Sequence, residues 1–187
     1  MDLGSYSHKR PLSYFIKRGL WALFQLPFIG GTPKQLSFLR VGLLRLFGAR
    51  IASGCLICGG VRVWEPWNLE MGVRSVFGTG AEIYNLAKIT IGSNAVISQG
   101  AYLCSASHDY TDRSFPLFSK PISIGDGAWV ASKAFIGPGV SIGEGTVIGA
   151  CSVVTKDMPA WMVCAGNPCR PLKPRLMQNK SSNARNI

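Results

Sequence analysis

Only two histidines occur in the 187 residues, and one of them, His108, lies in the string Cys104-Ser-Ala-Ser-His-Asp-Tyr-Thr-Asp112. Imidazole is the side chain whose ordinary titration range suits it to take a proton from a hydroxyl near neutral pH. His8 sits in a polar stretch with no organised context. Six cysteines (Cys55, Cys58, Cys104, Cys151, Cys164 and Cys169) raise a metal or disulfide alternative. Cys55 and Cys58 form a C-x-x-C, but no second pair follows at zinc-ligand spacing. Packing as small residues in a reducing compartment is the expected role, and no metal is expected.

The elements that must position His108 follow from a repeat. Apolar residues recur at a step of six: Ile51, Ile57, Val63; Met71, Phe77, Ile83; Ile91, Ile97, Leu103; Ile124, Val130, Ile136; Ile142, Ile148, Val154. A period of six fits neither a helix nor a two-faced strand. It fits a β-helix in which short strands turn corners and each coil stacks on the last. Gly follows the large residue in seven of the fifteen cases, which predicts a tight corner where a residue lacking bulk takes φ > 0. Two residues before the large position, Ala95, Ala101, Ala128, Ala134, Thr146 and Ser152 supply a smaller inward group. Three sides make a coil, so fifteen positions give about five coils.

The register slips after Val63, after Ile83 and, by fifteen residues, after Leu103. All three slips follow the third position of a triplet, so insertions leave at one corner, and His108 lies in the longest. Functional residues collect on loops held by a rigid scaffold. The chain divides into an N-terminal helical segment (1–50), the β-helix (51–157, with the insertion 104–121) and a C-terminal extension with a basic tail (158–187). One helix is expected over about Leu12 to Gln25, ending at Pro27 and the Gly30-Gly31 break. A second runs from after Pro33 to Phe47, with Leu36, Leu39, Leu43, Leu44 and Phe47 on one face and Lys34, Arg40 and Arg45 elsewhere. These helices read as a cap on the first coil or as a basic amphipathic surface for anionic lipid.

Net charge is +11, with Lys and Arg collected toward both ends, which suggests an anionic partner. No nucleic-acid motif accompanies it, and aromatics do not interleave with the basic residues. Nucleic acid is therefore not an expected partner. The longest nearly apolar run, Gly19 to Gly31, is too short to span a bilayer, and the first ten residues do not read as a secretory signal. The chain is expected in the cytoplasm, soluble or peripheral on the inner face of the membrane.

The [Ile/Leu/Val]-Gly-x-x-x-x repeat resembles the left-handed parallel β-helix of the hexapeptide-repeat acyltransferases. Ser107-His108-Asp109-Tyr110, Tyr84-Asn85, the run Gly149 to Asp157 and Gly166-Asn-Pro168 are similar to sugar O-acetyltransferases. From about Trp67 to Lys173 the chain looks most like those of colanic-acid and other exopolysaccharide synthesis. The resemblance implies an all-β fold, a homotrimer and an acetyl-CoA-dependent transfer to a sugar hydroxyl, small-molecule or lipid-linked, without an acyl-enzyme. It places the general base on His108 and acceptor contacts on Asn85, Tyr84 and Asp109, with Asp109 also a candidate to orient the imidazole. Coenzyme A contacts fall on Trp129, Ser132, Ala150, Thr155, Lys156, Arg170 and Lys173. A zinc enzyme on the same fold would need three histidines, and the β-helix holds one. The alternative is a non-catalytic trimeric scaffold docked through residues 1–50 on a membrane glycan-synthesis complex.

Overall fold

The computed structural model describes residues 10–25 and 33–177. His8, Pro27 with the Gly30-Gly31 break, and the basic tail past 177 lie outside the described residues. Short parallel strands stack into three ladders, one per side of a prism. The first ladder aligns Ile51, Met71, Ile91, Ile124 and Ile142. The second aligns Ile57, Phe77, Ile97, Val130 and Ile148. The third aligns Val63, Ile83, Leu103, Ile136 and Val154. None of the fifteen is more than 7% exposed. The small inward residues, Ala95 through Ser152, are buried between them, so large and small side chains alternate at interior density. A partial sixth coil continues the ladders, with Met158 paired to Ile142 and Cys164 to Ile148.

The expected role of the glycines needs correction. Left-handed backbone falls three residues after the large apolar position, not one. It is taken by Gly127 (φ +63°), but equally by Asn94 (+55°) and Lys133 (+56°). The glycine directly after the apolar residue answers a different demand, the closeness of the next coil. A Cβ on Gly125 would stand 2.5 Å from the backbone nitrogen of Glu144.

Helix α1 (Leu12–Gln25) and helix α2 (Ser37–Leu46) close the first coil. An open coil end presents unpaired N–H and C=O groups, a template for unwanted strand pairing. Here side chains fill those groups ladder by ladder. Arg45 Nε donates to the Ile51 carbonyl at 2.9 Å. The Ile57 amide donates to Ser37 Oγ at 2.7 Å, and Arg40 Nε donates to the Ile57 carbonyl at 2.8 Å. The Val63 amide donates to Gln25 Oε1 at 2.8 Å, and Trp21 Nε1 donates to the Val63 carbonyl at 2.7 Å. Arg40, which helical periodicity puts off the apolar face, is thus fully buried and works as a cap. Arg40→Met keeps the aliphatic stem but strands the Ile57 carbonyl, so urea unfolding should show a loss of about 1–3 kcal/mol. An unchanged midpoint would refute the capping role.

Tyr14 ties α1 to the corner after Val63, its hydroxyl donating to Glu65 Oε1 at 2.7 Å. Burial, and then this bond to Glu65, push the phenol up to about 12 from its ordinary 10. The neutral form is the one the fold holds. Its contribution to α1 docking is therefore complete below pH 10 and disappears as pH rises through about 12. Proteolysis between α1 and the prism should accelerate across that window in the wild type, and Tyr14→Phe should flatten the dependence.

Candidate active site

All three insertions leave the prism at the corner between the third and first ladders. The longest forms a β-hairpin in which Ala106–His108 pairs antiparallel with Leu117–Ser119. Its root is fixed by Ser105, fully buried, whose hydroxyl donates to the Tyr84 carbonyl at 3.0 Å and accepts the Ala87 amide at 3.0 Å. Its tip is turned by Asp112, which accepts the Ser114 amide at 2.8 Å. Phe115 then takes positive φ (+49°), which aims its carbonyl at His108.

His108 Nδ1 lies 2.8 Å from the Phe115 carbonyl oxygen. A carbonyl only accepts, so Nδ1 carries the proton in this bond. The Phe115 ring stacks on the imidazole, with centroids 4.4 Å apart and planes 3° from parallel. Two contacts from one residue thus set tautomer and ring plane. Asp109, the sequence candidate for that task, does something else. Its Oδ1 accepts the Thr111 amide at 2.9 Å and the Thr111 hydroxyl at 2.6 Å, which hold its carboxyl below the usual range, ionised and solvent-exposed.

The acceptor candidates divide. Tyr84 meets Trp64 edge-on at 5.2 Å, and both line a cavity of about 280 Å³ with Tyr102, Arg62, Glu82 and Gln25. Burial and the Cys104 thiol hold Tyr102 in its neutral form. Asn85 is fully buried, and both ends of its amide are committed to one residue. Oδ1 accepts the Glu65 amide at 2.8 Å, and Nδ2 donates to the Glu65 carbonyl at 2.6 Å. Its backbone is not left-handed, so the corner conformation is not its reason. The Glu65 carboxylate in turn accepts Tyr14, Trp67 (3.1 Å) and Asn68 (2.8 Å), joining α1 to two successive insertion corners.

The coenzyme A candidates fall on two edges of the prism. Thr155 and Lys156 follow the third ladder, at the same corner as the His108 hairpin. Ser132 and Ala150 lie at the corner between the second and third ladders, where the Cys151 amide donates to the Ser132 carbonyl at 3.0 Å. Arg170 and Lys173 are exposed on the antiparallel hairpin Met162–Gly166 and Cys169–Pro174 that ends the second ladder. Trp129 is exposed on the outer face of that ladder, its Nε1 donating to Ser98 Oγ at 2.8 Å. One prism therefore gathers His108, Thr155 and Lys156 at one corner, with Ser132 and Ala150 at another. Among the described residues no cluster of His, Cys, Asp and Glu is placed to hold a metal ion.

Sequence reasoning missed Phe115 and Glu65. The Phe115 role belongs to a backbone carbonyl and left no signal in the residue type. Glu65 did leave one, as a single acid among Trp64, Pro66 and Trp67 at the first insertion corner.

A stacked-coil prism with a histidine hairpin at its insertion corner defines a class. The Bacterial transferase hexapeptide (six repeats) profile matches residues 121–156. The fold is shared with a galactoside acetyltransferase solved in complex with coenzyme A (TM-score 0.83, 25% identity, 95% of this chain and 93% of that one). It is shared also with a maltose O-acetyltransferase of Clostridium difficile (TM-score 0.78, 26% identity, 89% and 90%). These neighbours make the solenoid a left-handed β-helix. A protein of Escherichia coli K12 that carries the name colanic acid biosynthesis acetyltransferase WcaF is 42% identical over 161 residues, 86% of this chain and 88% of its own. The chain belongs to the hexapeptide-repeat acetyltransferases.

Proposed function

We propose that the chain transfers an acetyl group from acetyl-CoA to a sugar hydroxyl in exopolysaccharide or surface-glycan biosynthesis, with His108 as general base. The observation that carries this is the Nδ1–Phe115 carbonyl bond of 2.8 Å, which fixes the proton on one nitrogen and leaves the other as the base. His108 Nε2 takes the proton of the acceptor hydroxyl as its oxygen attacks the thioester carbonyl. The tetrahedral adduct then expels the CoA thiolate, which recovers that proton, giving an acetyl ester and free CoA. Both substrates are bound together and no acyl-enzyme forms. Two of the cysteines agree with this: burial pushes the thiols of Cys164 and Cys169 up, away from the nucleophilic thiolate.

Backbone groups along the Ser132–Ala150 corner suit the pantetheine arm, and Lys156, Arg170 and Lys173 suit the phosphates. Thr155 stands at the His108 corner and Trp129 beside the arm. Because these groups occupy two edges of one prism, the complete site forms where the His108 corner of one prism meets the Ser132 edge of another, in a homotrimer. Tyr84 and Asp109 flank the acceptor hydroxyl, which is free or lipid-linked. Asn85 acts one step back, by holding the Glu65 corner. The names of the relatives supply the acetyl-CoA and the glycan in this reading. Thiol release from acetyl-CoA against a panel of sugars and lipid-linked oligosaccharides tests it. Turnover on at least one acceptor is expected, and a protein that neither binds CoA nor turns over sinks the reading.

A further inference from the structure

Helix α1 is inside out. Tyr14, Arg18, Trp21 and Gln25 face the prism and are hydrogen-bonded to Glu65, Trp64 and Val63, while Ser13 and Lys17 are exposed. Leu12, Phe15, Ile16, Leu20 and Leu23 face outward and are 50–74% exposed. A helix that served only as a cap would bury its apolar stripe and wet its polar one. Helix α2 buries Val41 and Leu44 in the core but leaves Phe38, Leu39 and Leu46 exposed beside them. Both helices lie over the same end of the prism, so the two apolar faces form a broad base. Patches of this kind mark an interaction surface.

We infer that this base rests on an anionic lipid bilayer, with the apolar residues at the acyl boundary. Charge selects that occupant. Residues 1–50 hold eight of the chain's Lys and Arg against one acid, Asp2. Arg40 and Arg45 cap the first coil and Arg50 pairs with Glu70, which leaves Arg10, Lys17 and Arg18 as the described cations beside α1. Two copies meeting base to base would oppose these like charges, whereas anionic headgroups attract them. The cations also sit at the right level. Lys17 lies over the Trp67 ring at 4.1 Å, Arg18 over Trp64 at 4.1 Å and Arg10 over Tyr14 at 4.9 Å, on the prism side of α1. They stand one step back from the apolar stripe, at headgroup height when the stripe is submerged. The proposed trimer, with parallel prisms, sets three bases in one plane. That multiplication rests on the preceding reading; the surface itself does not.

Flotation of the full chain with phosphatidylcholine vesicles, with and without phosphatidylglycerol, tests the inference, beside the triple variant Phe15→Glu, Ile16→Glu, Leu23→Glu. The wild type should float with the phosphatidylglycerol vesicles and release in high salt. The variant's bound fraction should fall by about tenfold or more. Its mass in solution and its thiol release with a soluble acceptor should stay unchanged. Absence of wild-type flotation, or equal flotation of the variant, overturns the inference. A fall in the variant's assembled mass also overturns it, because a second copy of the chain then covers the face. Failure of acetyl transfer in every protein would touch only the proposed function, since flotation is read without turnover.

Discussion

His108→Ala lowers acetyl transfer by about 10²–10⁴-fold, the scale of losing a positioned general base, or roughly 3–5 kcal/mol of barrier. Melting temperature and CoA affinity should hold, because the side chain lies on a projecting hairpin and carries no part of the core. Phe115→Ala separates the two devices that position the ring. It keeps the carbonyl 2.8 Å from Nδ1 and removes the stacked face, so a loss of about tenfold is expected, smaller than that of the base itself. Asp109→Asn should cost less still, since the Asp109 carboxylate is engaged by the Thr111 hydroxyl and amide, whereas Nδ1 of His108 is held by the Phe115 carbonyl. If Asp109→Asn proved as damaging as His108→Ala, the carboxylate would have to reach the ring during turnover, and the Phe115 account would be wrong. A non-catalytic scaffold predicts yet another result, full biological function in His108→Ala.

The same contrast marks how far residue type alone could be read. The fifteen inward positions were legible because each side of a coil needs one large apolar group, and nothing polar can take its place. The insertion corner was legible as a slip in register, and His108 as the single imidazole within it. What positions His108 was not legible, because a carbonyl belongs to every residue. Nor were the caps. Arg40 and Arg45 look like solvated charges on a helical wheel, and only the proximity of an open strand end turns them into donors for Ile57 and Ile51. Asn85 shows the reverse case. The resemblance put an acceptor contact on it, and nothing in its residue type signalled the pair of bonds that its amide closes on Glu65.

Glycine was read for the wrong one of two reasons, and the difference carries the second large effect. Gly125→Ala should destabilise the protein by about 3 kcal/mol or more, at the upper end of overpacking costs. Its new Cβ would meet the Glu144 nitrogen at 2.5 Å and the Gly143 carbonyl carbon at 2.7 Å, both backbone atoms. Those atoms cannot retreat without stretching the ladder, in which the Gly125 amide donates to the Ile142 carbonyl at 2.8 Å. Coils contact only their neighbours, so the damage concentrates at one joint, between the coil that ends the hairpin insertion and the coil above it. Gly127→Ala, two residues on, should cost only about 1 kcal/mol. It has open space around its Cβ and pays for left-handed backbone alone, which Asn94 and Lys133 already do at equivalent corners. Gly42→Ala, in α2 with nothing near its Cβ, should stabilise by roughly 0.5–1 kcal/mol. Unfolding midpoints of the three variants decide the order. A Gly127 variant weaker than the Gly125 variant would restore the backbone angle as the reason for the repeat's glycine, and would remove the close stacking of coils from the account.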